Sequence, residues 1–488
     1  MLALLLGCTG PVSPDAAPLD TSVFDTDDRG LDLSIEQVGP RVDEASVERT
    51  PIATVDVLVI GGGVAGMAAM IEAQSLGAQA LLIEREGALG GAAYYATAGA
   101  MLFSGTPIQE DAGIADGPAV LLADWSSMTG GDPGDDWVAR YAEDNVPMVF
   151  DWLIDMGATF SLSDELQDGD SQPRMHLLNG AGVGLVGLLA GRIPSASVML
   201  GSEATALVMG SDGLEGALLS GGDGTEVFIA ASSVVVATGG FLRDLSLVSW
   251  ADPALDTAAV WMSSSPGADG SGHRMLDALG ADWRNPSAIG TYAHGVPDVY
   301  EPGEENVLGT IDEALWVNTD GEVFLSSVPL NSYRTGQAVI EQPGQLAWAI
   351  FEGDDRPADT AFFDPVVPPG TEPSLVTVDA LLAAKMAFEG DTPAALAAAA
   401  GLSTLSLPDA VSPLLAVRIA PVLAKSFGGI AVDGDSRVLA GGAPLPGVYA
   451  AGELTGMAGG SLVGEYGFTG SLSAVLLSGR VAGQAAAE

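Results

Sequence analysis

The stretch Val55–Glu84 constrains the fold more than any other part of the chain. Val55–Ile60 (VDVLVI) is a near-continuous apolar run, as a strand covered on both faces requires. Gly61-Gly62-Gly63-Val64-Ala65-Gly66 follows and fits the pattern GxGxxG. In that pattern Gly61 permits the tight turn, Gly63 lets the backbone approach a pyrophosphate, and Gly66 allows close helix–strand packing. Helical spacing of apolar residues runs on to Gly77, and Ala80–Ile83 reads as a second buried strand ending at Glu84. Glu84 stands 18 residues past Gly66, where a carboxylate accepts ribose hydroxyls and disfavours a 2′-phosphate. The whole is a β–turn–α–β unit built to hold a dinucleotide.

Three later segments add to it. Gly90-Gly91 through Gly99 (GGAAYYATAG) is a small-residue loop able to approach a flat ring. Val234–Phe241 (VVVATGGF) is a strand ending in Thr238-Gly239-Gly240, and Gly447–Glu453 (GVYAAGE) is a strand ending in an acid suited to a ribityl hydroxyl.

Composition narrows the chemistry. Of 488 residues, 17 are Lys or Arg and 64 are Asp or Glu, a formal net charge of −47. Phosphate neutralisation needs clustered cations, so nucleic acid is excluded as a partner, and docking on anionic lipid is disfavoured. Since 48% of residues are hydrophobic, the charge reads as a solubility device rather than as disorder. One Cys and three dispersed His (His176, His273, His294) leave no intrachain disulfide, no Cys-ligated zinc or iron–sulfur cluster and no CxxCH haem site. No metal site is expected, and redox chemistry would need an organic cofactor.

Four glycine-rich segments in this order resemble the fumarate reductase/succinate dehydrogenase flavoprotein superfamily, which includes 3-ketosteroid dehydrogenase-like members. The resemblance runs from about Val55 to Gly483. It implies an α/β fold: a Rossmann-like FAD-binding domain built from both chain ends, with an inserted α+β capping (substrate) domain. The expected division is 55–242 for the first FAD-binding part, 243–415 for the cap and 416–488 for the second part. Helices are expected at 117–127, 135–157, 378–400 and 470–486, and hairpins over 198–232.

The resemblance assigns flavin contacts to Gly61, Gly63, Ala65 and Gly66 on the first turn, with Glu84 at the ribose. It adds Gly90, Gly91, Ala98 and Gly99 on the small-residue loop, and Ala204 on the hairpin. Thr238, Gly239, Gly240, Gly452, Glu453, Ser471 and Leu472 complete the set. Some family members attach the flavin to a His in the loop matched by 90–99. That stretch has Tyr94 and Tyr95 but no His, so non-covalent FAD is expected.

At the substrate end the likeness thins. His294 (Tyr292-Ala293-His294-Gly295) falls where the family shows Gln-x-His-Pro. Arg334 falls near the family's proton-donating Arg, and as a donor it would need a strong local field, because its pKa exceeds ~12. The family's fumarate reductases carry His-Thr-x-Gly-Gly, replaced here by Lys425-Ser426-Phe427-Gly428-Gly429. Gly464–Gly470 holds no Arg to clamp a dicarboxylate. Tyr466-x-x-x-Gly470 instead resembles the Tyr-x-x-x-Gly element that polarises a substrate carbonyl in the ketosteroid dehydrogenase-like members. Arg174 and His176 are either pocket-lining or structural, and His273 is expected to be structural.

The leading reading is an FAD-dependent oxidoreductase transferring hydride at a carbon–carbon bond next to a carbonyl. The catalytic candidates are Arg334, Tyr466, His294 and Gly470. The alternatives are a fumarate reductase-like enoate reductase and a non-catalytic flavin-binding surface lipoprotein. The implied partners are a small-molecule substrate and an external electron carrier or quinone.

Leu5-Leu6-Gly7-Cys8 has the form of a bacterial lipobox, with only seven residues and no cation before Cys8. Residues 9–54 read as an acidic tether; ten acids and three Arg fall within 9–50. A signal over 1–8, export to the periplasm or cell envelope, and a lipid anchor on Cys8 are expected.

Overall fold

The computed structural model describes residues 50–488 except 97–98, 129–135, 165, 167–168, 212, 222–224, 297–298, 300–306, 310–313, 326–332, 354–356, 358–361, 364–374, 408–409 and 458–470. For 128, 136, 221, 292–294, 307–309, 333–335, 362–363 and 471 it describes the backbone. The lipobox cysteine and the acidic tether therefore lie outside the described residues, as do Ala98, Tyr466 and Gly470.

The first sheet draws on both chain ends. Its strands run in the order Arg437–Ala440, Ala443–Ala450, Glu226–Val236, Ala53–Ile60, Ala80–Ile83 and Val198–Met199. All neighbours from Ala443–Ala450 to Val198–Met199 are parallel. The register aligns their ends: Ile60 pairs with both Ile83 and Val236, and Val236 with Ala450. The segments singled out by sequence thus leave one edge together, where an open parallel sheet binds its ligands. At this edge the central strands are buried apolar runs, Val57–Ile60, Ala80–Ile83 and Val234–Val236, as parallel strands covered on both faces require.

The covering helices Val64–Ser75 and Ser471–Ala487 meet at a seam of small residues. A Cβ on Gly479 would lie 2.3 Å from the Ala65 carbonyl oxygen, and one on Gly483 2.3 Å from that of Ala69. Across the seam Arg480 clasps Glu72, with Nη2 2.6 Å from Oε2.

Strands Ser202–Gly210, Gly213–Gly221 and Glu226–Val236 form an antiparallel meander. The expected helix over 135–157 forms as Asp136–Asn145 and Asp151–Asp155, with a π-helical turn at Val146–Phe150 around Pro147.

The second sheet is organised on the 13-residue strand Leu414–Ser426. Ala347–Glu352, Ala387–Gly390 and Ile289–Val296 pair with it antiparallel, and Trp261–Met262 parallel. Leu415, Val417 and Ile419 face one apolar cluster, and Leu414 and Ala416 face another. This strand crosses the division expected between 415 and 416: residues 416–426 belong to the second sheet, because strand pairing continues to Ser426.

The single helix expected over 378–400 is also corrected. Two short helices, Val378–Ala383 and Pro393–Ala400, flank the strand Ala387–Gly390. Lys385 turns the chain with φ 59°, and Thr392 caps a new start at Pro393. Composition favoured helix there, but pairing with the central strand overrode it.

Candidate functional site: a glycine cradle at the strand ends

The three glycines of the first turn do different work. At φ +106°, Gly61 adopts a backbone that an L side chain resists, and a Cβ there would lie 2.4 Å from the Ala237 carbonyl oxygen. A Cβ on Gly66 would lie 1.9 Å from the Gly61 carbonyl oxygen. Both are required by packing. Gly63 has an ordinary φ of −68°, and nothing lies within 4 Å of its Cβ direction. That open face sits at the N-cap of Val64–Ser75, where first-turn amides have no carbonyl a turn behind them and favour an anion. Gly239, at the next strand end, also faces open space.

Glu84 is fixed by the backbone. Its Oε2 accepts from the Gly62 amide at 2.7 Å and its Oε1 from the Glu86 amide at 2.8 Å. Each oxygen keeps a lone pair for a further donor. Beside it lies a small cavity of about 50 Å³, lined by Gly61, Glu84, Ala204 and Thr238. Arg85, Ser202, Glu203 and Ser271 also line it, and sequence reasoning missed all four. Arg85 was legible as the neighbour of Glu84, and Ser202–Glu203 as neighbours of Ala204. Arg85 pairs with Asp269 and reaches the Gly267 carbonyl at 3.3 Å. That pair ties the strand end to the helix Ser271–Asp277.

The small-residue loop lies against the first turn. The Gly90 amide donates to the Gly62 carbonyl at 2.9 Å, and a Cβ on Gly91 would lie 3.2 Å from the Gly63 Cα. Gly99 abuts Ala181, and a Cβ on Gly182 would lie 1.8 Å from the Ala93 carbonyl oxygen.

At the far end of the cradle a Cβ on Gly240 would lie 2.3 Å from Glu453 Oε1. That oxygen accepts from the Ser426 amide at 2.9 Å and its hydroxyl at 3.1 Å. Burial pushes the Glu453 carboxyl above its ordinary value, and the Ser426 bonds oppose the shift. The Gly452 amide donates to Ser478 Oγ at 3.0 Å. Leu472 packs in the apolar core with Val64 and Ala65, and Ser471 is the first residue of the last helix.

Ser426 links the two sheets, since it ends the central strand of the second and holds Glu453 of the first. His294 lies on Ile289–Val296, in the irregular stretch between the pairs Tyr292–Val422 and Gly295–Ala420. Arg334 lies in the first turn of the helix Tyr333–Ile340, which packs on the same strand. A Cβ on Gly336 would lie 2.2 Å from the Thr291 carbonyl oxygen. The backbone therefore brings the segments carrying Arg334 and His294 onto adjacent elements, while Tyr466 and Gly470 lie outside the described residues.

Arg174, His176 and His273 are interior groups. His176 Nδ1 faces the Arg174 carbonyl at 2.8 Å, so it donates, and Nε2 then takes the Thr106 hydroxyl at 2.8 Å. Burial lowers its pKa, as a neutral ring requires. His273 stacks on Trp283 with centroids 5.1 Å apart, and burial drives it down to about 3. Among the described residues, no group of three or more His, Cys, Asp or Glu is placed to hold a metal ion. Among them, too, no helix is long and apolar enough to cross a membrane.

The cradle has what FAD requires: an open anion-facing turn, a fixed ribose acceptor, a small cavity beside it and a second carboxylate past the glycine pair. A family model described as FAD binding domain matches residues 56–464. NADH:fumarate oxidoreductase of Klebsiella pneumoniae (strain 342) is 28% identical over 459 residues, covering 89% of this chain and 48% of that protein. The chain thus spans about half of that relative's length. A KsdD-like steroid dehydrogenase of Mycobacterium tuberculosis is 26% identical over 546 residues, covering 89% of this chain and 96% of that one. A solved 3-ketosteroid-Δ4-(5α)-dehydrogenase from Rhodococcus jostii RHA1, in complex with 4-androstene-3,17-dione, superposes with a TM-score of 0.69. It is 24% identical and covers 92% of this chain and 100% of that one, which is a likeness of fold.

Proposed function

The chain belongs to the FAD binding domain family, and from that premise we propose that it transfers hydride at a carbon–carbon bond next to a carbonyl. The carrying observation is the division of labour in the first turn. Gly61 and Gly66 are closed by backbone, whereas Gly63 is left open above a helix N-terminus. FAD, when bound, supplies the two-electron acceptor or donor. Gly63 and the first-turn amides of Val64–Ser75 hold its pyrophosphate, Glu84 its ribose, and Glu453 its ribityl chain. The loop 90–99 offers Tyr94 and Tyr95 but no His, which supports non-covalent attachment.

Tyr466 and the Gly470 amide polarise the substrate carbonyl, which makes the neighbouring C–H acidic. Arg334, His294 or Tyr292 moves the proton. An external electron carrier or quinone completes the cycle. The relatives described above are named as enzymes, which leaves a non-catalytic flavin-binding role without support.

A second reading, a fumarate reductase-like enoate reductase, is favoured by the Klebsiella relative's name. The absence of Arg from Gly464–Gly470 weighs against a dicarboxylate substrate.

The experiment is anaerobic. Purified protein should be yellow, and acid precipitation should release the colour into the supernatant. The photoreduced sample is then mixed with a 3-keto-1,4-diene steroid, an enoate or a quinone. Reoxidation by the steroid supports the leading reading, and reoxidation by the enoate alone supports the second. If neither the steroid nor the enoate reoxidises it, the proposed activity fails, and reoxidation by the quinone reports only on the electron partner. We also infer export with lipid on Cys8, supported by the lipobox. Incorporation of labelled palmitate that persists in Cys8→Ala would overturn it.

A further inference from the structure

Away from the cradle, one guanidinium is buried among three carboxylates. Arg174 is 1% exposed. Its Nε and Nη2 take Asp116 Oδ2 and Oδ1 at 2.8 and 2.9 Å, a bidentate pair. Its Nη1 lies 2.7 Å from Asp170 Oδ1 and 2.7 Å from Asp124 Oδ2. Gln109 Nε2 also donates to Asp116, and the Ser171 amide and hydroxyl donate to Asp124. Every carboxylate oxygen named so far is engaged. Asp170 Oδ2 is not: it is buried with no partner among the described residues, on a side chain 0% exposed.

One cation against three carboxylates leaves two negative charges in excess when all are ionised, with Asp116 and Asp170 fully buried and Asp124 at the rim. A buried, half-bonded carboxylate is far more costly than a neutral carboxyl. We propose that this cluster is a proton-binding site, in which Asp170 holds a proton at neutral pH and loosens its segment on losing it.

The groups facing Asp170 are Arg174 from its own segment, Asp116 from the loop ahead of the helix Pro118–Met128, Asp124 from that helix, and Tyr141 from the helix Asp136–Asn145, whose phenol is pushed far up by burial and so stays neutral over the range tested. Burial pushes the Asp170 carboxyl up to about 7; Arg174 opposes the shift, and Asp124 and Asp116 add to it. The cluster clasps this segment onto Pro118–Met128. Its effect reaches the cradle through backbone: the Phe103 amide bonds the Arg174 carbonyl at 3.1 Å, and Met175–Leu178 pairs with Ala100–Leu102, next to Gly99.

The linkage has a definite sign. The folded state binds the Asp170 proton more tightly than the unfolded chain, whose carboxyl titrates near ~3.9. Stability from this group is therefore full at low pH and declines as pH rises through the folded value. The shift at His176 has the opposite sign, so the two are separable.

The test compares unfolding midpoints of the full chain from about pH 5 to about pH 8 with those of Asp170→Asn. Asn keeps the acceptor for Arg174 and cannot ionise. The wild-type midpoint should fall over this range relative to the variant, which should lack that component. Asp124→Asn, by removing a like charge, should move the wild-type fall to lower pH. Infrared spectra of the wild type should contain a protonated-carboxyl band that disappears as pH rises and is missing from Asp170→Asn. Parallel pH dependence of wild type and Asp170→Asn, or no such band at neutral pH, would overturn the proposal, including where one variant fails to fold.

Discussion

The sheet built from both chain ends and the sheet organised on Leu414–Ser426 place their chemistry in different ways. In the first, the ligand-facing groups follow strand ends within a few residues: Gly63 after Ile60, Glu84 after Ile83, Thr238 after Val236, Glu453 after Ala450. Parallel register then sets these ends side by side. In the second, the candidates sit in an irregular stretch of Ile289–Val296 and in the first turn of Tyr333–Ile340, segments joined only by tertiary packing. A cofactor site made of strand ends can be read from local patterns, whereas a substrate site assembled from separate segments cannot.

Damage to the second sheet's core should have the greatest effect and asks whether the two sheets are separable. Trp316 is 0% exposed there, and Trp316→Ala should cost about 3–5 kcal/mol. If the two sheets are separable units, denaturant will unfold the second early, while flavin fluorescence stays quenched by the first. Simultaneous loss in both probes would mean one cooperative body. Gly66→Ala, which forces a Cβ to 1.9 Å from a carbonyl, should cost about 1–3 kcal/mol and lower the melting temperature with flavin affinity.

Glu84→Ala leaves the Gly62 and Glu86 amides without their acceptor, so about 1–3 kcal/mol of stability should go, together with FAD affinity. Gly63→Ala is the sharpest contrast and the smallest in stability. Its Cβ meets nothing within 4 Å, so the cost should be limited to the loss of a good N-cap residue, about 0.5–1 kcal/mol. Titration with FAD should nonetheless show weakened binding, since the methyl group occupies the face offered to the pyrophosphate. Equal affinity for FAD in Gly63→Ala and wild type would remove that role from the turn.

Much of the first sheet was legible because buried parallel strands are apolar runs and tight turns demand glycine. The second was legible only in outline. The Ala/Leu-rich stretch 378–400 carries helical composition, yet its middle became a strand because Leu414–Ser426 offered a partner. The spacing Arg174-x-His176 before a glycine-rich helix left pocket-lining and structural roles both open; aspartates up to 58 residues away in sequence make it an interior cluster.

Sequence alone therefore determined the dinucleotide cradle, since backbone clearance and strand burial are local demands written into residue type. It also determined a charge of −47 and the scarcity of Cys and His. Tertiary structure decided which glycines are closed and which are open, and where the second sheet ends. It also decided that Asp170 meets other carboxylates in the interior. Those outcomes depend on distances between residues far apart in the chain, and burial changes what a charged group costs only once its neighbours are in place.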